Sequence, residues 1–301
     1  MKRDFLRLKD LSFDEIFQII RRAIDLKSGI DALKCPLIGK SIGLIFEKAS
    51  TRTRVSFEVG IYQLGANSIY MNPNEIQIGR GETIHDTAKV LSRYLDAIII
   101  RTFEHEKIVE FSKYSSIPVI NALTDMHHPC QALADLMTIY EKKNGFEGVC
   151  IAYIGDGNNV AHSLIEGAAL SGMKITIASP EGYEPNREIL NEMRAIARNE
   201  IVVMRDPIEA VKGADVVYTD VWVSMGQEGY EKIKKERFRG YQLNDSLLSH
   251  AKEDAIVLHC MPAHRGEEIT DGVIDGPQSV VFEQAENRLH SQKALLEFLL
   301  E

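Results

Sequence analysis

The run Ser41-Ile42-Gly43-Leu44-Ile45-Phe46 is short and almost wholly apolar, and within a few residues it gives way to a helix-like stretch carrying Val55, Phe57, Val59, Tyr62 and Leu64. A strand that is apolar throughout has no face to give to water, and one that leads straight into a helix is not part of a tight hairpin. Such a strand belongs in a parallel sheet with crossover helices. Further strand-like runs follow at 67–71, 97–102, 118–120, 149–154, 174–178, 201–204 and 216–219, several of them separated by helix-like segments. A break near Lys142-Lys143-Asn144-Gly145 divides them into two series, which predicts two doubly wound α/β domains.

Composition narrows the function classes. A chain of 301 residues is long enough for two domains that each bury a core. The net charge of −9 and the lack of any Lys/Arg cluster argue against a nucleic-acid surface, so an anion site here must be a local positive pocket. The start, Met1-Lys2-Arg3-Asp4-Phe5-Leu6, has no apolar core of a signal peptide, and no apolar run reaches the roughly 18 residues of a membrane span. Cys35, Cys130, Cys150 and Cys260 are widely spaced, which suggests neither disulfides nor a zinc site. No membrane contact and a cytoplasmic location are the expectation.

The junction after the first strand, Ser50-Thr51-Arg52-Thr53-Arg54, carries chemistry. The first N–H groups of a helix lack partners within it, and the dipole adds positive charge there. Hydroxyls and a guanidinium at that point make a socket for phosphate. Read locally, Ser-Thr is a helix cap and the arginines a solvated first turn. Arginine is disfavoured at a helix N-terminus, however, so two of them ask for an anion. The string lacks the glycines of a Walker A loop, and a small phosphorylated metabolite fits better than a nucleotide.

Other positions follow in chain order. Ser12 and Glu15 form a capping box ahead of a helix whose buried face is Ile16, Ile19, Ile20, Ala23 and Ile24. Residues 72–82 are a polar, glycine-punctuated loop, either functional or a connector. Arg101 ends an all-apolar strand, where it is either a strand terminator or a ligand at the carboxyl edge of the sheet. His127-His128-Pro129 opens a helix; adjacent histidines rarely share a metal, and none is expected. Gly155-Asp156-Gly157 follows a strand, yet Val160 stands where a dinucleotide fingerprint needs its third glycine, and the next strand ends in Ser179-Pro180 without the acidic residue that would hold a ribose. The final helix is expected over 282–300.

Several of these strings together resemble the aspartate and ornithine carbamoyltransferase family, from about residue 4 to the end. Ser50-Thr51-Arg52-Thr53-Arg54 resembles its carbamoyl-phosphate motif. Asp220 with Ser224-Met225-Gly226 matches the D-x-x-x-S-M-G of the ornithine branch, and His259-Cys260-Met261-Pro262-Ala263-His264-Arg265-Gly266-Glu267-Glu268 matches that branch's H-C-L-P-A-H-R-G-E-E with Met261 for Leu. That swap keeps volume and apolarity. The resemblance implies transfer of the carbamoyl group of carbamoyl phosphate to the δ-amine of L-ornithine through a tetrahedral intermediate, giving L-citrulline and phosphate, with no metal, cofactor or covalent intermediate.

By the same resemblance, Ser50, Thr51, Arg52, Thr53, Gln77 and Arg101 hold carbamoyl phosphate together with His128, Gln131, Cys260, Met261 and Arg288. Asn159, Asp220, Ser224 and Met225 are the ornithine ligands, and Arg101, His128, Asp220 and Cys260 serve the chemistry. Gln77 reaches the active site of a neighbouring subunit, which implies a homotrimer. The implied domains are 1–143 for carbamoyl phosphate, 144–282 for ornithine, with a cleft between them, and 283–301 as a helix packing back on the first. Arginine biosynthesis and citrulline breakdown both use these motifs. The residues leave open a carbamoyltransferase for putrescine, aspartate or an acylated ornithine, and a non-catalytic phosphometabolite-binding protein. Ser224-Met225-Gly226 favours free ornithine, because putrescine has no carboxylate or α-amine to hold.

Overall fold

The computed structural model describes residues 2–31, 34–72, 81–223, 229 and 231–300. Gln77, Ser224 and Met225 lie outside the described residues. The chain divides into two compact units, Met1–Met137 with Glu286–Glu301, and Thr138–Ala285.

In the first unit, α1 (Phe13–Lys27) begins where expected: Glu15 N–H donates to Ser12 Oγ at 3.4 Å while Ser12 N–H donates to the Glu15 carboxylate at 2.8 Å. Its buried face is Ile16, Ile19, Ile20, Ala23 and Leu26. Ile24, expected on that face, is half-buried, because Leu26 keeps the helical period better. Strand β1 (Ser41–Phe46) is followed by α2 (Thr51–Gln63), β2 (Asn67–Met71), α3 (Ile84–Leu91), β3 (Ala97–Arg101), α4 (His105–Tyr114), β4 (Val119–Leu123) and α5 (Pro129–Lys143), whose residues from Thr138 onward belong to the second unit. The strands form a parallel sheet in the order β2-β1-β3-β4. Ile45, Ile98, Ile100, Ile108, Phe111 and Val119 share one core cluster with Ala88 and Leu95.

Helix α2 differs from its expected orientation. Val55, Val59 and Tyr62 are 50%, 37% and 80% exposed, while Thr53, Phe57, Gly60 and Ile61 are buried. A buried ring and a buried aliphatic chain four residues apart, Phe57 and Ile61, set the inner face, and the exposed apolar stripe lies across from them.

The second unit contains β5 (Cys150–Ile154), α6 (Asn159–Ser171), β6 (Lys174–Ala178), α7 (Arg187–Ile196), β7 (Ile201–Met204), α8 (Pro207–Val211) and β8 (Val216–Thr219). After these come α9 (Glu231–Arg237), α10 (Asp245–Leu248), β9 (Ile256–His259), α11 (Asp271–Ile274) and α12 (Val281–Leu300). Its sheet is also parallel, in the order β7-β6-β5-β8-β9. From Glu286 onward α12 belongs to the first unit: Glu297 accepts from Arg22 at 2.6 and 3.1 Å, and Asn287 accepts from Lys27 at 2.8 Å. Gly60 lets the helices meet closely, since a Cβ there would lie 3.1 Å from Lys293 Cγ and 3.5 Å from Leu289 Cδ1. The C-terminal helix thus returns to the first unit, as the sequence led us to expect. Among the described residues no helix is long and apolar enough to cross a membrane.

Each sheet reverses its winding once, between β1 and β3 in the first unit and between β5 and β8 in the second. At such a switch the crossover helices leave to opposite faces and a crevice opens beyond the carboxyl ends of the strands. The Ser50–Arg54 turn and Arg101 follow the two switch strands of the first unit, and Asn159 and Asp220 follow those of the second.

Candidate active site

In the first unit, Phe46 and Arg101 are paired neighbours at the ends of β1 and β3. The backbone carbonyl of Arg101 accepts from Glu47 N–H at 2.8 Å, which ties the turn after β1 to the end of β3. Ser50 caps α2 by accepting from Thr53 N–H at 3.3 Å. Thr51 and Arg52 are exposed, whereas Thr53 and Arg101 are buried. The local cap and the anion socket are therefore both compatible with the geometry: the cap uses one hydroxyl, while Arg52 and Thr51 stand in solvent at the positive end of the helix.

His128 precedes α5, and its backbone carbonyl accepts from Gln131 and Ala132 N–H at 3.1 and 3.2 Å. Burial, Arg288 and Arg101 together hold its imidazole well below the usual range, so it is neutral at neutral pH and carries one N–H. Gln131 is fixed from both ends. Its Nε2 donates to Asp135 Oδ1 at 2.8 Å, one helical turn on, and its Oε1 accepts from Arg288 Nη1 at 2.6 Å. The other arm of Arg288 donates to Thr53 Oγ1 at 3.2 Å. Thr53, Gln131 and Arg288 are thus one hydrogen-bonded group, drawn from α2, α5 and α12.

Two further residues sit in this unit that the sequence motifs did not single out. Lys48 is 6% exposed, forms an ion pair with Asp125, and stands 4.2 Å above the Phe103 ring. It links the turn after β1 to the turn before α5. Asp135 orients the Gln131 amide. Their signals were weak in one dimension: a lysine among polar neighbours, and an acid four residues along a helix from a glutamine.

In the second unit, β5 ends at Ile154, Asn158 caps α6, and Asn159 is the first residue of that helix and half-buried. Packing alone requires the nearby Gly157: a Cβ there would fall 2.2 Å from Pro185 N and 2.5 Å from the Glu184 carbonyl carbon. Asp220 follows β8 and is 4% exposed. Its Oδ2 accepts from Asn158 Nδ2 at 2.7 Å, and its Oδ1 accepts from Val221 N–H at 2.8 Å and from the Cys260 thiol at 2.9 Å. Cys260 is half-buried just past β9.

Met261 has φ of +55° and donates its N–H to His259 Nδ1 at 2.9 Å, so its backbone carbonyl is the group it can offer a ligand. His259 in turn stands 3.2 Å by Nε2 from the buried Glu268. Asp220, His259 and Cys260 bring potential metal-ligand atoms within 4.8 Å of one another. Both ring nitrogens of His259 are already engaged, with Met261 and with Glu268, and the thiol is engaged with Asp220. The second such group, His264, Glu267 and Glu268, has Glu267 paired with Lys235 at 2.7 Å and Glu268 accepting from His264 N–H at 2.5 Å.

Residues 3–141 match the family model described as aspartate/ornithine carbamoyltransferase, carbamoyl-P binding domain, and residues 147–299 match its Asp/Orn binding domain. An ornithine carbamoyltransferase of Bacillus thuringiensis subsp. konkukian is 58% identical over 298 residues, covering 98% of this chain and 93% of the relative. That of Anoxybacillus flavithermus is 55% identical over 303 residues, covering 99% and 96%. Among solved structures, ornithine carbamoyltransferase from Pyrococcus furiosus superposes with a TM-score of 0.92 at 50% identity, covering 98% of this chain and 96% of that one. The chain belongs to the aspartate/ornithine carbamoyltransferase family.

Proposed function

We propose that the chain is an ornithine carbamoyltransferase, transferring the carbamoyl group of carbamoyl phosphate to the δ-amine of L-ornithine to give L-citrulline and phosphate. The observation that carries this reading is the sorting of charge. Arg101 and Arg288 act on neutral His128 in the first unit, and Arg52 stands on the turn after β1, while the buried Asp220 with Cys260 lies at the β5/β8 switch of the second.

In this reading Arg52 and the Ser50–Thr53 turn hold the phosphate. Arg101, His128 and the Thr53 hydroxyl meet the carbonyl oxygen as charge builds on it. Gln131 accepts from the carbamoyl amide through Oε1, since its Nε2 is committed to Asp135. The δ-amine must lose a proton before attack, a step of roughly 4 to 5 kcal/mol at neutral pH for a lysine-like amine. Asp220 and Cys260 bind the ammonium and help take that proton. The amine nitrogen then bonds to the carbonyl carbon, its second proton passes to the phosphate oxygen as the carbon–oxygen bond breaks, and Arg52 receives the departing hydrogen phosphate. Asn159, Ser224 and Met225 hold the amino-acid end, and the Met261 carbonyl the carbamoyl amide.

We further assign a homotrimer in which Gln77 completes a neighbour's site, and a cytoplasmic location. The exposed stripe of Val55, Val59 and Tyr62 on α2 supports a subunit contact. The test is citrulline formation with ornithine beside putrescine, aspartate and acetylornithine at matched concentration. A strong preference for ornithine is expected. Turnover with another amine would overturn the roles of Asn159, Asp220 and Ser224, and no turnover would favour a binding protein.

A further inference from the structure

Two buried carboxylates stand at the same edge of the second sheet and are treated in opposite ways. Asp156, after β5, forms an ion pair with the buried Lys234, so its charge is compensated within the protein. Around Asp220 the donors among the described residues are neutral: the Val221 N–H, the Cys260 thiol and the side-chain amide of Asn158. A cationic donor there would cancel the negative charge that a bound ammonium needs. A neutral one holds the carboxylate and leaves its charge available.

Asn158 is built for that task. Its Oδ1 accepts from Val160 N–H at 2.9 Å and Ala161 N–H at 3.2 Å, the work of a helix cap. Those bonds decide which way the amide faces, because only Nδ2 remains to point at Asp220, and it donates there at 2.7 Å across 62 positions of sequence. The phenol of fully buried Tyr153 lies 3.3 Å from the same Oδ1. Asn186 at the start of α7 makes the same kind of cap, accepting from Glu188 and Ile189 N–H at 2.8 and 3.3 Å, with no bond to Asp220. It is a natural control for capping alone.

We propose that Asn158 is a positioning residue for the amine substrate: its amide clamps Asp220 at Oδ2, so that Oδ1 stays at the Cys260 thiol where the ornithine ammonium is received. This rests on the role given to Asp220 above. The helix cap sets the amide, the amide sets the carboxylate, and the carboxylate sets the thiol. Loss of the clamp lets the carboxylate turn about its last torsion and weakens recognition of the amine without touching the phosphate socket.

The test compares steady-state constants of the wild type with Asn158→Ser, Asn186→Ser, Asp220→Asn and the Asn158→Ser/Asp220→Asn double variant. Serine retains a capping oxygen but is too short to reach Asp220. Asn158→Ser should raise the KM for ornithine roughly tenfold to a hundredfold, the worth of a hydrogen bond to a charged group, and leave the KM for carbamoyl phosphate within about twofold. Asn186→Ser should leave both unchanged. The double variant should be no worse than Asp220→Asn, since one residue acts through the other. Should Asn158→Ser fail to fold, Asn158→Thr keeps the cap and must show the same split. If Asp220→Asn is impaired while the Asn158 variants keep the ornithine KM within about threefold of wild type, or raise both KM values equally, the proposal is overturned and the role of Asp220 stands. If Asp220→Asn itself leaves ornithine kinetics intact, the role of Asp220 falls and the proposal with it.

Discussion

The two sheet units place opposite charge at equivalent points of the same topology. Beyond the switch between β1 and β3 stand Arg101 and the arginine-bearing turn Ser50–Thr53; beyond that between β5 and β8 stands Asp220, held by Asn158 and Cys260. A parallel sheet makes the crevice, and it is indifferent to the sign of what binds there. Sign comes from a few side chains. In the first unit they converge from three helices, through Thr53, Gln131 and Arg288. In the second, Asp220 and Cys260 directly follow strands β8 and β9, while Asn158 caps helix α6.

The largest way to break this comparison is to remove charge from the first unit. Arg52→Ala should lower kcat/KM for carbamoyl phosphate by roughly a hundredfold to a thousandfold, about 3 to 4 kcal/mol. A mild change, or an equal loss in a binding assay for the amine alone, would show that the two units do not divide the substrates.

Packing in the second unit offers the next effect. Gly157→Ala forces a methyl against Pro185 N and should cost about 1 to 3 kcal/mol in denaturant unfolding. Unchanged stability would mean that the loop after β5 yields, and that the glycine is there for another reason.

Acid pH sharpens the contrast through His128. Its folded pKa is depressed by burial, Arg288 and Arg101, so the fold favours the neutral ring. Above the ordinary histidine pKa near ~6.5 neither state is penalised; as pH falls below it the unfolded chain takes up the proton first, and stability drops by up to about 1.4 kcal/mol per pH unit until the folded pKa is reached. His128→Gln should therefore lose less melting temperature than wild type between about pH 7.5 and 5.5. A parallel fall in both would refute it.

The smallest effect calibrates the rest. Ser12→Ala removes the capping hydroxyl of α1 and should cost about 1 kcal/mol without changing either KM. A kinetic change would show that the edge of the first unit is coupled to its site.

Much of this was legible in one dimension. The Ser12–Glu15 box, the extent of β2 and the proline-led start of α5 depend on neighbours within a turn or a strand, and they were read correctly. The inward face of α2 was not, because Val55, Val59 and Tyr62 satisfy an apolar pattern as well as Phe57 and Ile61 do, and only the approach of α12 against Gly60 separates them. Helix α4 and the short helices α8 to α11 were not singled out, since their apolar pattern is brief. Lys48 and Asp135 were passed over as site residues for a related reason: each acts on a motif residue and not as one.

What the sequence determined by itself is everything local or periodic: strand and helix in alternation, the caps, the hydroxyl-arginine turn, the strings that mark the family. Tertiary structure decided which of those strings meet. Arg288 reaches Thr53 across 235 positions and Asn158 reaches Asp220 across 62, and no local propensity encodes either distance. The physical reason is that strand order is chosen by burial of whole faces, a property of the assembled sheet, so the switch points and the charges gathered there exist only once the sheet has formed.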